Sequence, residues 1–492
     1  MEKKIKTLYS VERLRDSYRD ADARNEFESD FGRVIFSPAI RRMHDKTQVF
    51  PLTTDDNIHS RLTHSMEVMA VGHSLGVKLI MKKEFADLEN LAEYDLIREI
   101  PIILKSACLV HDIGNPPFGH FGEAVVQQYF DKLFIDDEKR VAKEVKEGEK
   151  GEIRFKLTKL EKEDFTSFDG NAQGFRVLTK LQVLDDAYGL NLTFATLGAY
   201  LKYPNTGEID KSQKIIARKK RGVYQSEKAY LESIFKKSNL VSGNEFFRHP
   251  LAFLVEAADS ICYYIMDMED GFNKGIYNYK FIKKQFKVVD GIEEIFKKIE
   301  AKDKLTNKKP SDRKKVVNFR IQLISRLVDT ALDNYIKNYS SIKDGSYQEE
   351  LIFDDETKLA DTLSLFSVNN IFPIYEIQSL ELTGHSVLSG LLDFYIEFIF
   401  SGNKHYIKRA VGMISNSIIK IALLENNFDA ENENEYYKYF LKPVIPENDG
   451  GSKTEKKLND YSKLRIIVDF IAGMTDQYAL NHYQKLSGQK IS

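Results

Sequence analysis

The stretch CLVHDIGNPPFGHFGE, residues 108–123, places a His-Asp pair at the end of an apolar run and follows it with a second His and a Glu. The run reads as a buried helix over 96–110, and Gly114, Pro116 and Pro117 forbid its continuation beyond Val110. His111 and Asp112 are therefore delivered side by side at a helix end, where they can reach one metal ion from two directions. Taken alone the pair has a plainer reading, in which Asp112 caps a turn and His111 is a satisfied, half-buried histidine. The choice between the two depends on what else the chain offers.

Six of the ten histidines fall in the first 120 residues, at 44, 59, 64, 73, 111 and 120. His64 sits one turn into an amphipathic helix expected over 61–85, preceded by Arg61 and followed by the ladder Val68, Val71, Leu75, so it projects near the packed face. A third helix, expected over 251–270, is apolar nearly all round, yet at ~100° per residue Glu256, Asp259, Tyr263 and Asp267 share an arc of roughly 80°. Such a helix is buried, and buried carboxylates are costly unless paired or bound to metal. His64, His111, Asp112 and Asp259 together make two imidazoles and two carboxylates, a set suited to a divalent ion that keeps positions open for water and phosphate oxygens.

Composition bounds the remaining possibilities. The 492 residues are 42% hydrophobic and 30% charged, an ordinary globular balance with a net charge of −2, so any nucleic-acid site must be local. The densest basic run is Arg218, Lys219, Lys220 and Arg221, in a zone over 203–228 that reads as loop. The two cysteines, Cys108 and Cys262, lie in apolar runs and read as buried thiols of a reducing compartment. No stretch reaches the ~18 apolar residues of a membrane span, and the N-terminus has no apolar leader, so a cytoplasmic protein is expected. The charge-dense segment 136–164 reads as an exposed hairpin or loop insertion, and the pattern beyond 275 is again helical.

FESDFGRVIFSPAIRRMHDKTQVFPL (27–52), SRLTHSMEV (60–68), HDIGNPPFGHFGE (111–123), DGNAQGFR (169–176), LKYP (201–204) and EAADSICYYIMDMEDG (256–271) occur in order. As a set they resemble the bacterial deoxyguanosine triphosphate triphosphohydrolases of the HD-domain superfamily. The resemblance implies a mainly α, HD-type helical fold with small β-hairpin insertions. Its catalytic core would span 1–275, with a helical region over 276–492 packed on it and used in oligomer contacts, a hexamer by similarity.

The resemblance makes His64, His111, Asp112 and Asp259 the metal ligands, with Mn²⁺ or Mg²⁺ as the metal, and dGTP the preferred deoxynucleoside triphosphate. His120 becomes the general acid toward the departing O5′ and Glu123 its orienting partner. Arg61, Lys202 and Tyr203 fall at the phosphates, Tyr263 under the sugar, Asp267 at the 3′-hydroxyl and Gln48 at the sugar or base. Some relatives carry His where Asn115 stands, and that accessory contact is absent here. Single-stranded DNA is a further partner implied by the enterobacterial branch. The rival readings are another HD-type phosphodiesterase with the same ligands, and a nucleic-acid-binding nucleotide sensor built on the 218–221 run.

Overall fold

The computed structural model describes residues 7–490 apart from 18–22, 54, 56, 90–95, 148, 183–187, 211, 213, 244, 303–307, 354–356 and 442–456. Helices dominate, and among the described residues the only sheet is a two-stranded antiparallel hairpin pairing Val241 with Phe246 and Ser242 with Glu245. The Arg61–Met81 helix, which carries His64, and the Leu96–Val110 helix, which ends one residue before His111, pack along their length. Val68, Leu75 and Leu79 face Ile100, Ile103, Leu104 and Ala107 in one buried cluster. The approach is close because Gly72 presents no side chain: a Cβ there would lie 2.3 Å from Cys108 Sγ. The first helix is launched by Ser60, whose hydroxyl accepts from the Thr63 N–H while Thr63 returns a bond to the Ser60 backbone. The third, Pro250–Asn273, begins with proline at its first position and is buried on nearly every face.

The apolar side chains form two clusters. One gathers residues from 8–113 and from 175–377; the other gathers 118–172, Tyr224 and 387–479. The segment 113–118 crosses from one to the other, so the HDIGNPPFGH turn lies on the seam between two packed bodies.

A buried polar network also crosses the seam. Asp469, on the Asp460–Ala472 helix, accepts from Arg176 Nε at 2.8 Å, Gln173 Nε2 at 2.9 Å and Arg465 Nη2 at 3.0 Å. Arg176 also pairs with Glu227 at 2.6 Å and Glu425 at 3.1 Å. Removing one member of such a set strands buried charge. Asp469→Ala is expected to cost about 3–5 kcal/mol and to lower the thermal midpoint in a calorimetric scan.

The charged segment 136–164 is not a hairpin. The helix that begins at Gly119 runs 28 residues to Lys146, and a second spans Lys159–Thr166. Charge density here makes helix-surface pairs, with Arg140 bonded to Asp137 three residues before it and Glu144 four residues after it.

Candidate metal and phosphate site

His64, His111 and Asp259 bring one ligand atom each to within 4.8 Å of one another. Asp259 Oδ1 is the common point, 3.2 Å from His64 Nε2 and 3.3 Å from His111 Nε2. His111 Nδ1 lies 2.8 Å from the Cys108 carbonyl, which can only accept. The proton is therefore held on Nδ1 in the neutral ring, and Nε2 is left as a lone pair directed at the cluster. The two imidazoles meet edge to face, with centroids 5.3 Å apart. Burial alone would lower the His111 pKa, but Asp112 and Asp259 outweigh it and hold it at about 9. Burial likewise acts to raise Asp259, and His111 and His64 overcome it to keep the carboxyl well below the usual range.

Asp112 stands beside this trio without joining it. One of its oxygens is paired with Arg61 Nη1, the other accepts from Asn115 Nδ2 at 2.6 Å, and His111 Nε2 is 3.6 Å away. Burial is offset by Arg61 and His111, and its pKa falls to about 2. Arg61 is itself buried and lies against Gly119, whose φ is +61°; a Cβ there would sit 2.6 Å from the Arg61 guanidinium. Asn115 thus holds Asp112.

His120 opens the Gly119–Lys146 helix, with Nδ1 3.2 Å from Glu123 Oε2 and a side chain 66% exposed. Glu123 is buried, and its other oxygen accepts the Gly170 N–H at 2.7 Å. The attraction of Glu123 raises the His120 pKa, and the bond between them adds to it.

Lys202 is tied to the third helix through Glu256. Glu256 is not turned toward the metal trio: it takes Lys202 on one oxygen at 3.1 Å and Arg248 on the other at 2.8 Å. Tyr203 is buried beside Lys202, and the charge of Asp259 is felt at Lys202. Further along, Tyr263 rests between Tyr264 and Phe372, and Asp267 is 2% exposed. Burial drives the Asp267 carboxyl well above its ordinary pKa, and Asp270 adds to the effect. His64 Nδ1, Gln48 Oε1 and Asp267 Oδ2 are all buried without a hydrogen-bond partner among the described residues.

Sequence reasoning missed Lys220. The 218–221 run is not an open cationic face. Arg221 is fully buried against Glu163 at 2.7 Å and Asp164 at 3.2 Å, and Arg218 pairs with Glu245 at 3.0 Å. Lys220 Nζ sits 3.0 Å from Asp169 and acts on Glu123, His120 and Tyr203, which places a further cation at the site. Among the other early histidines, His44 and His73 are exposed. His59 bridges Asp270 at 2.8 Å and Glu67 at 3.2 Å, a contact only the fold reveals.

Residues 61–184 match the family described as HD domain, and 444–485 match the phosphohydrolase-associated domain. With its helical fold and its histidine-aspartate cluster, the protein is an HD-domain protein, a class whose motif implies a bound divalent metal. A deoxyguanosinetriphosphate triphosphohydrolase-like protein of Listeria monocytogenes is 34% identical over 486 residues, covering 96% of this chain and 95% of the relative. A deoxyguanosinetriphosphate triphosphohydrolase of Enterobacter sp. (strain 638) is 32% identical over 484 residues, covering 94% and 93%. A similarly named protein of Synechocystis sp. is 31% identical, covering 94% of each chain. The chain belongs to the deoxyguanosinetriphosphate triphosphohydrolase family. Among the described residues no helix is long and apolar enough to cross a membrane.

Proposed function

We propose that the protein is a metal-dependent deoxynucleoside triphosphate triphosphohydrolase, with dGTP preferred, that releases the deoxynucleoside and intact tripolyphosphate. The observation that carries the reading is the convergence of His64, His111 and Asp259 beside a separate His120–Glu123 pair. The donor set fits a divalent metal, because two imidazole nitrogens and a carboxylate face one point and the His111 lone pair is aimed there. Asp112, beside the trio and paired with Arg61, would be the fourth ligand. Mn²⁺ or Mg²⁺, when bound, would activate water and offset charge on the α-phosphate.

The protein's own groups supply the rest. Arg61, Lys202 and Lys220 offset the roughly four negative charges of a triphosphate, and Tyr203 flanks Lys202. As water attacks the α-phosphorus and the bond to O5′ breaks, His120 donates its Nε2 proton to O5′, while Glu123 holds Nδ1. Tyr263 underlies the sugar and disfavours a 2′-hydroxyl. Asp267 and Gln48 have unpartnered oxygens suited to the 3′-hydroxyl and to the sugar or base. The catalytic core is assigned to 1–275, and the region over 276–492 to oligomer contacts, with a hexamer by family resemblance. Exposed Tyr375 and Leu382 are apolar surface such contacts would cover. Single-stranded DNA remains a partner on resemblance alone, since the 218–221 cations are largely engaged within the protein.

Incubation with Mn²⁺ or Mg²⁺ and each of the four dNTPs and GTP, followed by ion-exchange chromatography, tests the reading. Deoxynucleoside and tripolyphosphate are expected, fastest from dGTP and absent from GTP. Monophosphate with pyrophosphate, or no turnover on any dNTP, would sink it and favour the phosphodiesterase or sensor reading.

A further inference from the structure

We infer that Asp476 is a positioning residue: its buried carboxylate ties the segment bearing Gln48 to the turn that launches His120. The C-terminal region then sets the geometry of a site to which Asp476 lends no reacting group. The kinetic consequence rests on the triphosphohydrolase reading; the structural part does not.

Asp476 is the first residue of the Asp476–Leu486 helix and is 2% exposed. Its Oδ1 accepts the Phe118 N–H at 3.0 Å. Its Oδ2 accepts the Thr47 N–H at 3.0 Å and also the Thr47 hydroxyl. Three donors therefore converge on two carboxylate oxygens. An amide would offer one acceptor oxygen and turn its NH₂ against a donor.

Both partners sit where small displacements matter. Phe118 immediately precedes the helix of His120 and Glu123 and adopts the left-handed region, φ 62° and ψ 19°. A residue with a side chain occupies that region at a cost and stays there only when its surroundings fix it. Thr47 lies next to Gln48 and forms an isolated antiparallel bridge with Ser60, the cap of the helix carrying Arg61 and His64. Arg61 N–H in turn donates to the Lys46 carbonyl at 3.0 Å.

Lys46 grips the other side of the same turn. Its buried ammonium donates to the carbonyls of Asn115 and, at 2.8 Å, of Ala472. Segments 46–48, 60–61 and 115–118 each bear or adjoin a candidate site residue, and all are fastened to one another and to 472–476. The anchor comes from the part of the chain that matches the phosphohydrolase-associated domain, which gives that domain a task at the site.

The test compares the full-length wild type with Asp476→Asn and with the milder Thr47→Val, which keeps the Thr47 N–H and removes the hydroxyl. Asp476→Asn is expected to lower kcat about tenfold or more and to raise KM through the loosened Gln48 segment, while Mn²⁺ affinity holds within about twofold, because His64, His111 and Asp259 lie off the clamp. Hydrogen exchange should rise in 44–50 and 115–123 but not in 64–75. Thr47→Val should move both readouts less, in the same sense. Asp469→Ala, which breaks the neighbouring ionic network, should lower the thermal midpoint and leave kcat of the folded enzyme unchanged. Wild-type kcat and exchange in both Asp476→Asn and Thr47→Val would overturn the inference. So would a kcat loss in Asp469→Ala matching that of Asp476→Asn, because the clamp would then be only a source of stability. A wild type that hydrolyses no dNTP would end the triphosphohydrolase reading, while the exchange pattern would still decide whether Asp476 holds the two segments.

Discussion

Asp259→Ala is expected to abolish stoichiometric binding of Mn²⁺ and to cut turnover of dGTP by about a thousandfold or more. Asp259 Oδ1 is the atom both imidazoles face, at 3.2 and 3.3 Å, so its loss removes the shared anionic ligand and leaves two histidines without a common partner. A metal contributes several kcal/mol of charge stabilisation at a phosphoryl centre, and each 1.36 kcal/mol is about a factor of ten in rate. His111→Ala is expected to match it. Isothermal titration with Mn²⁺ supplies the direct readout, and pH supplies a second. In the metal-free protein His111 is protonated below about pH 9, held so by Asp112 and Asp259 against burial. Metal binding must displace that proton, so wild-type affinity should rise about tenfold per pH unit up to about pH 9 and level off above it. Titrations in buffers of different ionisation enthalpy should show about one proton released per site near neutrality. Tight Mn²⁺ binding by Asp259→Ala would remove the trio from the metal assignment.

His64 and Asp259 were legible because each stands out against its own helix, and His111 because it sits where an apolar helix must stop. Carboxylates confined to one arc of the largely apolar 251–270 segment, and a histidine beside the Val68–Leu75 ladder, are anomalies that periodicity exposes without any partner being known. Where the neighbouring carboxylates turn was not legible. Glu256 shares the helical arc of Asp259, yet Arg248 and Lys202, from outside that helix, draw it away. Asp112 was read as a full member of the set, and in the fold Arg61 and Asn115 compete for it. The basic run 218–221 illustrates the same limit. Four successive cations suggest an outward face, but Glu163, Asp164, Asp169 and Glu245 reach it from other segments and turn Lys220 toward the site. In 136–164 charge density was taken for a break in structure, whereas pairs three and four apart support a long helix. Asp476 carried no signal at all, since its partners lie 358 and 429 residues away and two of the bonds go to backbone.

His120→Ala is expected to lower kcat by about 10²- to 10⁴-fold, the span of a well-placed general acid, with little change in Mn²⁺ affinity. The pair geometry makes a sharper prediction for Glu123→Gln. Glu123 raises the His120 pKa first through its charge and then through the Nδ1 bond, so the acid form persists to higher pH than in an isolated imidazole. A glutamine keeps an oxygen for the Gly170 N–H and removes the charge. The His120 pKa then falls, less of the ring is protonated at a given pH, and the alkaline limb of the kcat profile should move to lower pH. An unmoved limb would mean that Glu123 serves only the fold of the 170 turn. The role of His120 itself can be separated from simple charge stabilisation by replacing O5′ of dGTP with sulfur. A thiolate leaves without protonation, so the deficit of His120→Ala should shrink to about tenfold or less on that substrate if His120 is the proton source. An equal deficit on both substrates would instead assign His120 to charge on the α-phosphate, because that requirement is the same whichever atom departs.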